Sequence, residues 1–411
     1  MSLQLLKQAL NGREPEPMWA ERPLKDRYDV VIIGGGAHGL ACAYYLAREH
    51  GITDVAVLEK RYIGSGGSGR NTAIIRSNYL TPEGVRFYDE SVRLYEQMSA
   101  EFDFNVMFSQ RGHLTLAHSD GALRTMRRRA QVNQLQGVDS RVIGLDEIER
   151  LCPWLDLSEE ARYPILGALY HPPGGIIRHD AVVWGYAHQA HRRGVHIQQL
   201  TTATDIVVEK GRVTGVVTDR GAIKTGTVLN ATAGWCSTIA VMAGVQLPVT
   251  TFPLQACVTE PLKPFLDVIV VSGSLHVYVS QTDRGELVMG AAVDPFASYS
   301  MKGSLSFVEN VAGHMLELFP SLHHVRVLRQ WAGLCDMTPD FSPIMGLTSV
   351  DGFLVDVGWG TYGFKASPIS GKMMAELIAT GRTPDLIHPF RLSRFVEGDL
   401  VGEKGAASVG H

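Results

Sequence analysis

The stretch YDVVIIGGGAHGLACAYYLAREH, residues 28–50, decides the fold. Tyr28 to Ile33 is a nearly unbroken apolar, β-branched run, the pattern of a strand buried on both faces. It runs straight into the glycine cluster Gly34 to Gly39. Leu40 to His50 is rich in small residues and reads as a helix, and Val55 to Glu59 reads as a second buried strand. Together they predict a βαβ unit. Inside it lies Gly34-x-Gly36-x-x-Gly39, with Glu59 twenty residues further on at the end of the second strand. Gly34 permits the tight turn, Gly36 lets a pyrophosphate approach the backbone, and Gly39 lets the helix pack closely on the sheet. The helix start supplies free N–H groups and a favourable dipole for phosphate. Glu59 is placed to accept from ribose hydroxyls. The same glycines could make a tight turn with no ligand, but the strand–glycine–helix–strand–acid order predicts a dinucleotide site.

The rest of the composition narrows the class. At 411 residues the chain is long enough for two or three packed domains. A net charge of −4 offers nothing to nucleic acid or an acidic membrane surface. No run approaches the roughly 20 apolar residues that span a bilayer, and Lys7, Arg13 and Glu14 interrupt any secretory core near the start. These features predict a cytoplasmic protein with a small-molecule partner. Cys42, Cys152, Cys236, Cys257 and Cys335 are scattered, and the histidines form no spaced set, so neither a disulfide framework nor a metal site is expected.

The glycine motif alone does not separate NAD from FAD. Three later segments favour FAD. The loop Gly64-Ser65-Gly66-Gly67-Ser68-Gly69-Arg70-Asn71-Thr72 follows the second strand and can fold over a pyrophosphate. Val228 to Trp235 reads as a buried strand ending in small residues. Gly358-Trp359-Gly360-Thr361-Tyr362-Gly363-Phe364-Lys365 puts a glycine turn before a helix expected over Ser370 to Thr380. Such a helix start can stabilise negative charge on a reduced ring. Between these segments lies a different pattern: FPLQACVTE, DVIVVSG, LHVYVSQ and ELVMGAAV are short strand-like runs, and Thr282-Asp283-Arg284-Gly285 is a hairpin signal. Residues 82–104 and 119–136 have helical character. Because FLVDVGWG at 353–360 returns to nucleotide-domain character, the domains interleave.

Taken together, DVVIIGGGAHGLACAYYLA, GSGGSGRNTAIIRSNYL, VLNATAGW, LHVYVSQTDRGELVMGA and VGWGTYGFKASP resemble the D-amino-acid-oxidase-like flavoproteins. More narrowly, with SQRGHLTLAH at 109–118 and the tail GEKGAASVGH, they resemble the branch of heterotetrameric sarcosine oxidase beta subunits. The resemblance implies an α/β fold: a Rossmann-like FAD-binding domain (28–105, 160–245 and 335–400) interleaved with an antiparallel-sheet substrate domain (106–159 and 246–334). An N-terminal arm (1–27) and a C-terminal tail (401–411) complete the chain. It implies noncovalent FAD, with contacts at Gly36, Ala37, His38, Glu59, Lys60, Arg70, Asn71, Thr72 and Ile75, at Ala203 on the adenine side, and at Gly360, Gly363 and Lys365 beside the ring. The single-chain relatives bond FAD through a cysteine just before a Thr-Pro-Asp. Here Thr338-Pro339-Asp340 is present, but the matching position is Gly333, and Cys335 is offset by two and reads as a buried filler.

For the reaction, the resemblance implies oxidation of sarcosine, with Arg76 and Lys365 at cationic substrate positions. Arg76 could instead pair with a structural carboxylate. Ala73 stands where simpler relatives carry a second arginine. Tyr278 and Tyr362 read either as walls of a substrate cage or as core, and His276 as a neighbour of Tyr278 on one strand face. In HPPGGIIRHDAV, residues 171–182, nothing local says whether either histidine is a catalyst, a ligand or a loop residue. The resemblance implies a second flavin, FMN, bonded covalently to His179; by their local setting, Asp180 reads as the cap of the helix that follows and His171 as a turn residue at the Pro-Pro-Gly-Gly bend. It further implies alpha, gamma and delta partner subunits, folate use to capture formaldehyde, and oxygen as final acceptor. Two other readings stay open. One is a dehydrogenase subunit for proline or another secondary amine, and the other is a flavin-bearing assembly subunit with no catalysis of its own.

Overall fold

The computed structural model describes residues 10 and 17–406. The apolar run forms the strand Val30–Ile33, with all four residues buried. It pairs in parallel with Val55–Leu58 on one side and Val228–Asn230 on the other. The full sheet has six strands, in the spatial order 344–347, 353–357, 228–230, 30–33, 55–58 and 196–198. Only the first pair is antiparallel. Parallel neighbours need crossovers, and the crossovers cover both faces. On one face lie the helices Ala37–Glu49, His179–Arg192 and Gly363–Thr380, over the main apolar core. On the other lie the three-stranded meander 203–224 and the short helix Cys236–Met242.

The second layer is an eight-stranded sheet in the order 327–337, 250–261, 286–293, 277–281, 269–272, 113–117, 167–171 and 141–143. The hairpin at Thr282–Gly285 forms as expected, with Thr282 N–H bonded to the Glu286 carbonyl at 2.9 Å. The sheet is mixed rather than purely antiparallel: Ile269–Ser272 runs parallel to His113–Ala117. No local pattern reports a pairing between segments so far apart in the chain. Gly167–His171 also belongs to this sheet, paired with His113–Ala117, so the sheet draws on the segment 160–245 that the sequence reading gave to FAD binding. A third, small sheet joins Ile74–Ile75 and Ser109–Gln110 to Gly175–Ile176, tying the glycine loop to the turn before His179.

The late helix begins at Gly363, earlier than Ser370, and encloses Pro368. A proline lacks the N–H that would bond the carbonyl four residues back. That carbonyl, of Phe364, instead accepts from the Tyr95 hydroxyl at 2.6 Å. At the chain ends, residues 1–9 and 11–16 of the arm and 407–411 of the tail lie outside the described residues. Arg22 of the arm donates to the Gly194 carbonyl at 2.8 Å, and Met18 accepts from His188. The tail is held by a fully buried ion pair: Arg394 grips both oxygens of Asp340, at 2.8 and 2.9 Å, and Val401 N–H adds a third contact. Asp340 belongs to the Thr338-Pro339-Asp340 run, so that motif here fastens the C-terminal segment.

Candidate active site

A cavity of about 420 Å³ opens where the two large sheets meet, within the size range of small-molecule sites. The glycine motif forms its floor. Gly34 has φ +117°, and a Cβ there would strike the Ala231 carbonyl, so the turn and the neighbouring strand both require glycine. At Gly39 a Cβ would strike the Gly34 carbonyl, which is the close helix–strand approach expected. Gly39 is thus a packing residue and does not line the cavity, whereas Gly34, Gly36, Ala37 and His38 do. The helix has no capping side chain of its own, but Ser68 reaches over from the glycine loop and accepts the Ala37 N–H at 2.9 Å. Glu59 is locked in place by the N–H groups of Gly35 and Arg61, at 3.0 and 2.9 Å. Lys60 lies over the Trp235 ring at 3.5 Å, and Ala203 closes the same end.

Arg70, Asn71 and Thr72 line the middle of the cavity. Ala73 holds a left-handed φ of +57°, a strained conformation for alanine and one that clusters at functional sites. Strand alternation then separates the next three residues: Ile74 and Arg76 line the cavity, while Ile75 is buried in the main core. The sequence reading placed Ile75 on the cofactor, one residue out of phase. Gly333 and Cys335 line the opposite wall, where burial pushes the Cys335 thiol well up.

At the far end, Gly360, Gly363, Phe364 and Lys365 present the start of the helix Gly363–Thr380 to the cavity. His38 pins this helix to the first one. Its Nε2–H donates to the Gly363 carbonyl at 2.9 Å, and Nδ1 lies 3.1 Å from Asp356. Burial pushes the His38 pKa down, but Asp356 and the Gly363 carbonyl outweigh it and hold the ring above the ordinary histidine range. His38 therefore aligns two helix starts as well as lining the cavity. Asp356 is itself fixed by Ser370 and Trp359, at 2.7 and 2.8 Å.

Arg76 is buried, and its guanidinium donates to the Asn78 carbonyl and Oδ1 and to the Ala406 carbonyl, at 3.1, 2.8 and 2.5 Å. Among the described residues no carboxylate pairs with it, which removes the structural ion pair that the sequence left open. Arg129, also buried, donates to the same two carbonyls. Burial and the charge of Arg76 lower Arg129 to about 9. Lys365 is lowered to about 7 by burial and Arg76, and its Nζ makes one long bond to the Thr361 carbonyl at 3.4 Å. This end of the cavity is short of negative charge and suits a carboxylate.

Several residues take places the sequence did not assign. Tyr278 and Tyr362 both line the cavity, and burial raises the Tyr278 hydroxyl to about 12. His113 lines it as well, and no sequence signal marked it, since a lone histidine on an apolar strand looks like core. Asp336 lines it too, with burial raising its carboxyl to about 6. His276 precedes the strand Val277–Gln281 in an exposed turn at φ +49°, so it shares no strand face with Tyr278. His171 ends a strand rather than sitting in a turn. Fully buried, it accepts the Ser77 N–H at Nε2 and donates from Nδ1 to the Asp139 carbonyl, with burial holding it at about 3.

His179 lies outside the cavity. It is half-buried at the first position of its helix, and burial lowers its pKa, so the ring is neutral. Asp180 does not cap that helix. The cap position is Arg178, whose guanidinium grips Asp180 at 2.8 and 3.1 Å. Phe364 joins the two places: it lines the cavity, and its ring meets the His179 ring edge-on at 6.4 Å.

A glycine floor, a helix start, a carboxylate at the second strand end and a second helix start at the far end fit an adenine dinucleotide carrying a reactive ring. The fold and site define a dinucleotide-dependent oxidoreductase of the FAD type. Residues 29–377 match the family of FAD dependent oxidoreductases. The chain is 47% identical to the sarcosine oxidase subunit beta of Rhodobacter capsulatus over 96% of its length and 95% of that protein's. It is 48% identical to the same subunit of Rhizobium meliloti, over 98% and 97%. Among solved structures, L-proline dehydrogenase from P. horikoshii superposes with a TM-score of 0.87 at 30% identity, covering 92% of this chain and all of that one. The chain belongs to the FAD dependent oxidoreductases and, within them, to the sarcosine oxidase beta subunits.

Proposed function

We propose that this chain is the catalytic flavoprotein subunit that oxidatively demethylates sarcosine, N-methylglycine. The overall reaction converts sarcosine, oxygen and water into glycine, formaldehyde and hydrogen peroxide. FAD, when bound, accepts the hydride equivalent from the substrate carbon. Gly34, Gly36, Ala37, His38, Glu59, Lys60, Arg70, Asn71, Thr72 and Ala203 hold its nucleotide portion, and Gly360 and Gly363 flank its ring. One observation carries the reading: Arg76 and Lys365 are buried cations on one cavity wall, and among the described residues neither has a carboxylate partner. A small carboxylate supplies that missing charge and is thereby oriented.

The second flavin in this reading is FMN, bonded covalently at His179 and returning electrons to oxygen. The neutral ring and its contact with Phe364 beside the cavity support it. A neutral imidazole is nucleophilic. Alpha, gamma and delta subunits complete the assembly, in line with the subunit names of the relatives. The likeness to L-proline dehydrogenase favours one alternative, oxidation of a cyclic secondary amino acid with a carrier other than oxygen.

Anaerobic mixing with sarcosine or L-proline separates the two readings by which substrate bleaches the flavin. Acid precipitation tests the second flavin. FMN retained on a peptide containing Ile176 to Val182 is expected, and complete release of FAD alone to the supernatant sinks the two-flavin reading. Arg76→Ala is expected to bind both flavins and to resist reduction by sarcosine.

A further inference from the structure

Amine oxidation needs a free nitrogen lone pair, yet an alkylamine with a pKa of about 10 enters from neutral water as an ammonium ion. A group in the cavity able to take that proton would let the abundant ammonium form react directly. Arg76 and Arg129 cannot, because a guanidinium stays charged. Below about pH 7 Lys365 already carries its proton, and a carboxylate beside it holds that ammonium form, so there it has no lone pair to offer. His113 remains. It is 3% exposed and lines the cavity with Arg76, Tyr278 and Lys365. It stands at the start of the strand His113–Ala117, held between Ile269 and His171 in the sheet. The Thr115 hydroxyl lies 3.5 Å from Nδ1, and among the described residues nothing bonds Nε2.

We infer that His113 takes the ammonium proton of the bound amine substrate. This rests on the amine-oxidase reading above and deepens it. The step is a proton transfer alone: the substrate N–H bond breaks, an imidazole N–H forms, and no electrons move between the partners. The proton leaves to solvent with the products.

The charges around His113 suit the role. Burial, Arg76 from the glycine-loop side, His171 from the adjacent strand, Arg129 from the helix Asp120–Leu135 and Lys365 from the helix Gly363–Thr380 all hold its pKa well below the ordinary range. These surroundings favour the neutral ring, with its lone pair. A substrate carboxylate between Arg76 and Lys365 offsets two of these charges and raises its basicity when a proton has to be taken.

The test uses the flavin-loaded, assembled protein, anaerobically, with sarcosine from pH 6 to 10. If sarcosine fails to reduce the wild type, the function reading fails and not this one. If it does reduce it, His113→Gln is expected to slow the limiting reduction ~100-fold near pH 7, as for loss of a general base. The rate should then recover about tenfold per pH unit towards the amine's own pKa of about 10. Methoxyacetate, a carboxylate of similar shape with no ammonium, should bind the variant within threefold of wild type, read by flavin absorbance. Lys365→Arg should keep the wild-type pH shape. A wild-type pH shape in His113→Gln overturns the proposal, as does a shifted profile in Lys365→Arg alone. Should His113→Gln lose its flavin, the wild type still decides: a limiting rate climbing tenfold per unit to pH 9 rules out an internal acceptor.

Discussion

Arg394 and Arg76 are both buried arginines, and the molecule treats them in opposite ways. Arg394 meets a full carboxylate in two-pronged geometry and further accepts the role of donor to the Phe390 and Ser342 carbonyls. Among the described residues Arg76 meets neutral oxygens and the Tyr79 ring but no carboxylate, beside Arg129 and Lys365. A buried charge is costly unless paired. The first region offsets that cost within the chain and fastens the tail. The second leaves it open, so an incoming anion gains what the fold did not supply. Placement in a cavity, rather than burial, separates the structural arginine from the one proposed to bind the substrate.

The sharpest break in this comparison is Arg394→Ala. It strands Asp340 without its cation and should cost about 3–5 kcal/mol of folding stability, read by denaturant unfolding. Arg76→Ala should act the other way round, lowering kcat/KM for sarcosine ~100- to 1,000-fold, or about 3–4 kcal/mol, with a smaller loss of unfolding free energy. If both variants lose stability alike, the distinction fails. A milder probe is pH. With Lys365 at about 7, the ammonium exists before the anion arrives only below that pH. Binding must carry in a proton above it. Methoxyacetate affinity should thus be full below about pH 7 and weaken by up to ~10-fold per unit as pH rises, and Lys365→Met should flatten the slope. The smallest effect is expected at Tyr95→Phe. It removes the donor to the Phe364 carbonyl that Pro368 leaves unpaired, at a cost of about 1–3 kcal/mol in unfolding free energy.

Legibility followed the distance over which each feature is built. The first strand, the glycine turn and Glu59 were readable because their contacts close within one βαβ unit. The hairpin at 282–285 was readable for the same reason. Ile74 and Ile75 were misphased because a two-residue strand carries no period to count. Pro368 is compatible with its helix only because Tyr95 comes from another helix. His171 and His113 face each other across one strand pair and look alike in sequence. One is satisfied by Ser77 and Asp139, and the other opens on the cavity.

By itself, then, the sequence determined the dinucleotide unit, since motif chemistry is local and survives without coordinates, while the flavin class and the candidate cations drew on the resemblance to a flavoprotein family. Only the tertiary structure decided which buried cations lack a counter-charge, which histidine lines the site, and that Phe364 bridges the cavity to His179. Those properties depend on what the remaining chain brings to within a few ångströms, and burial makes a missing partner matter.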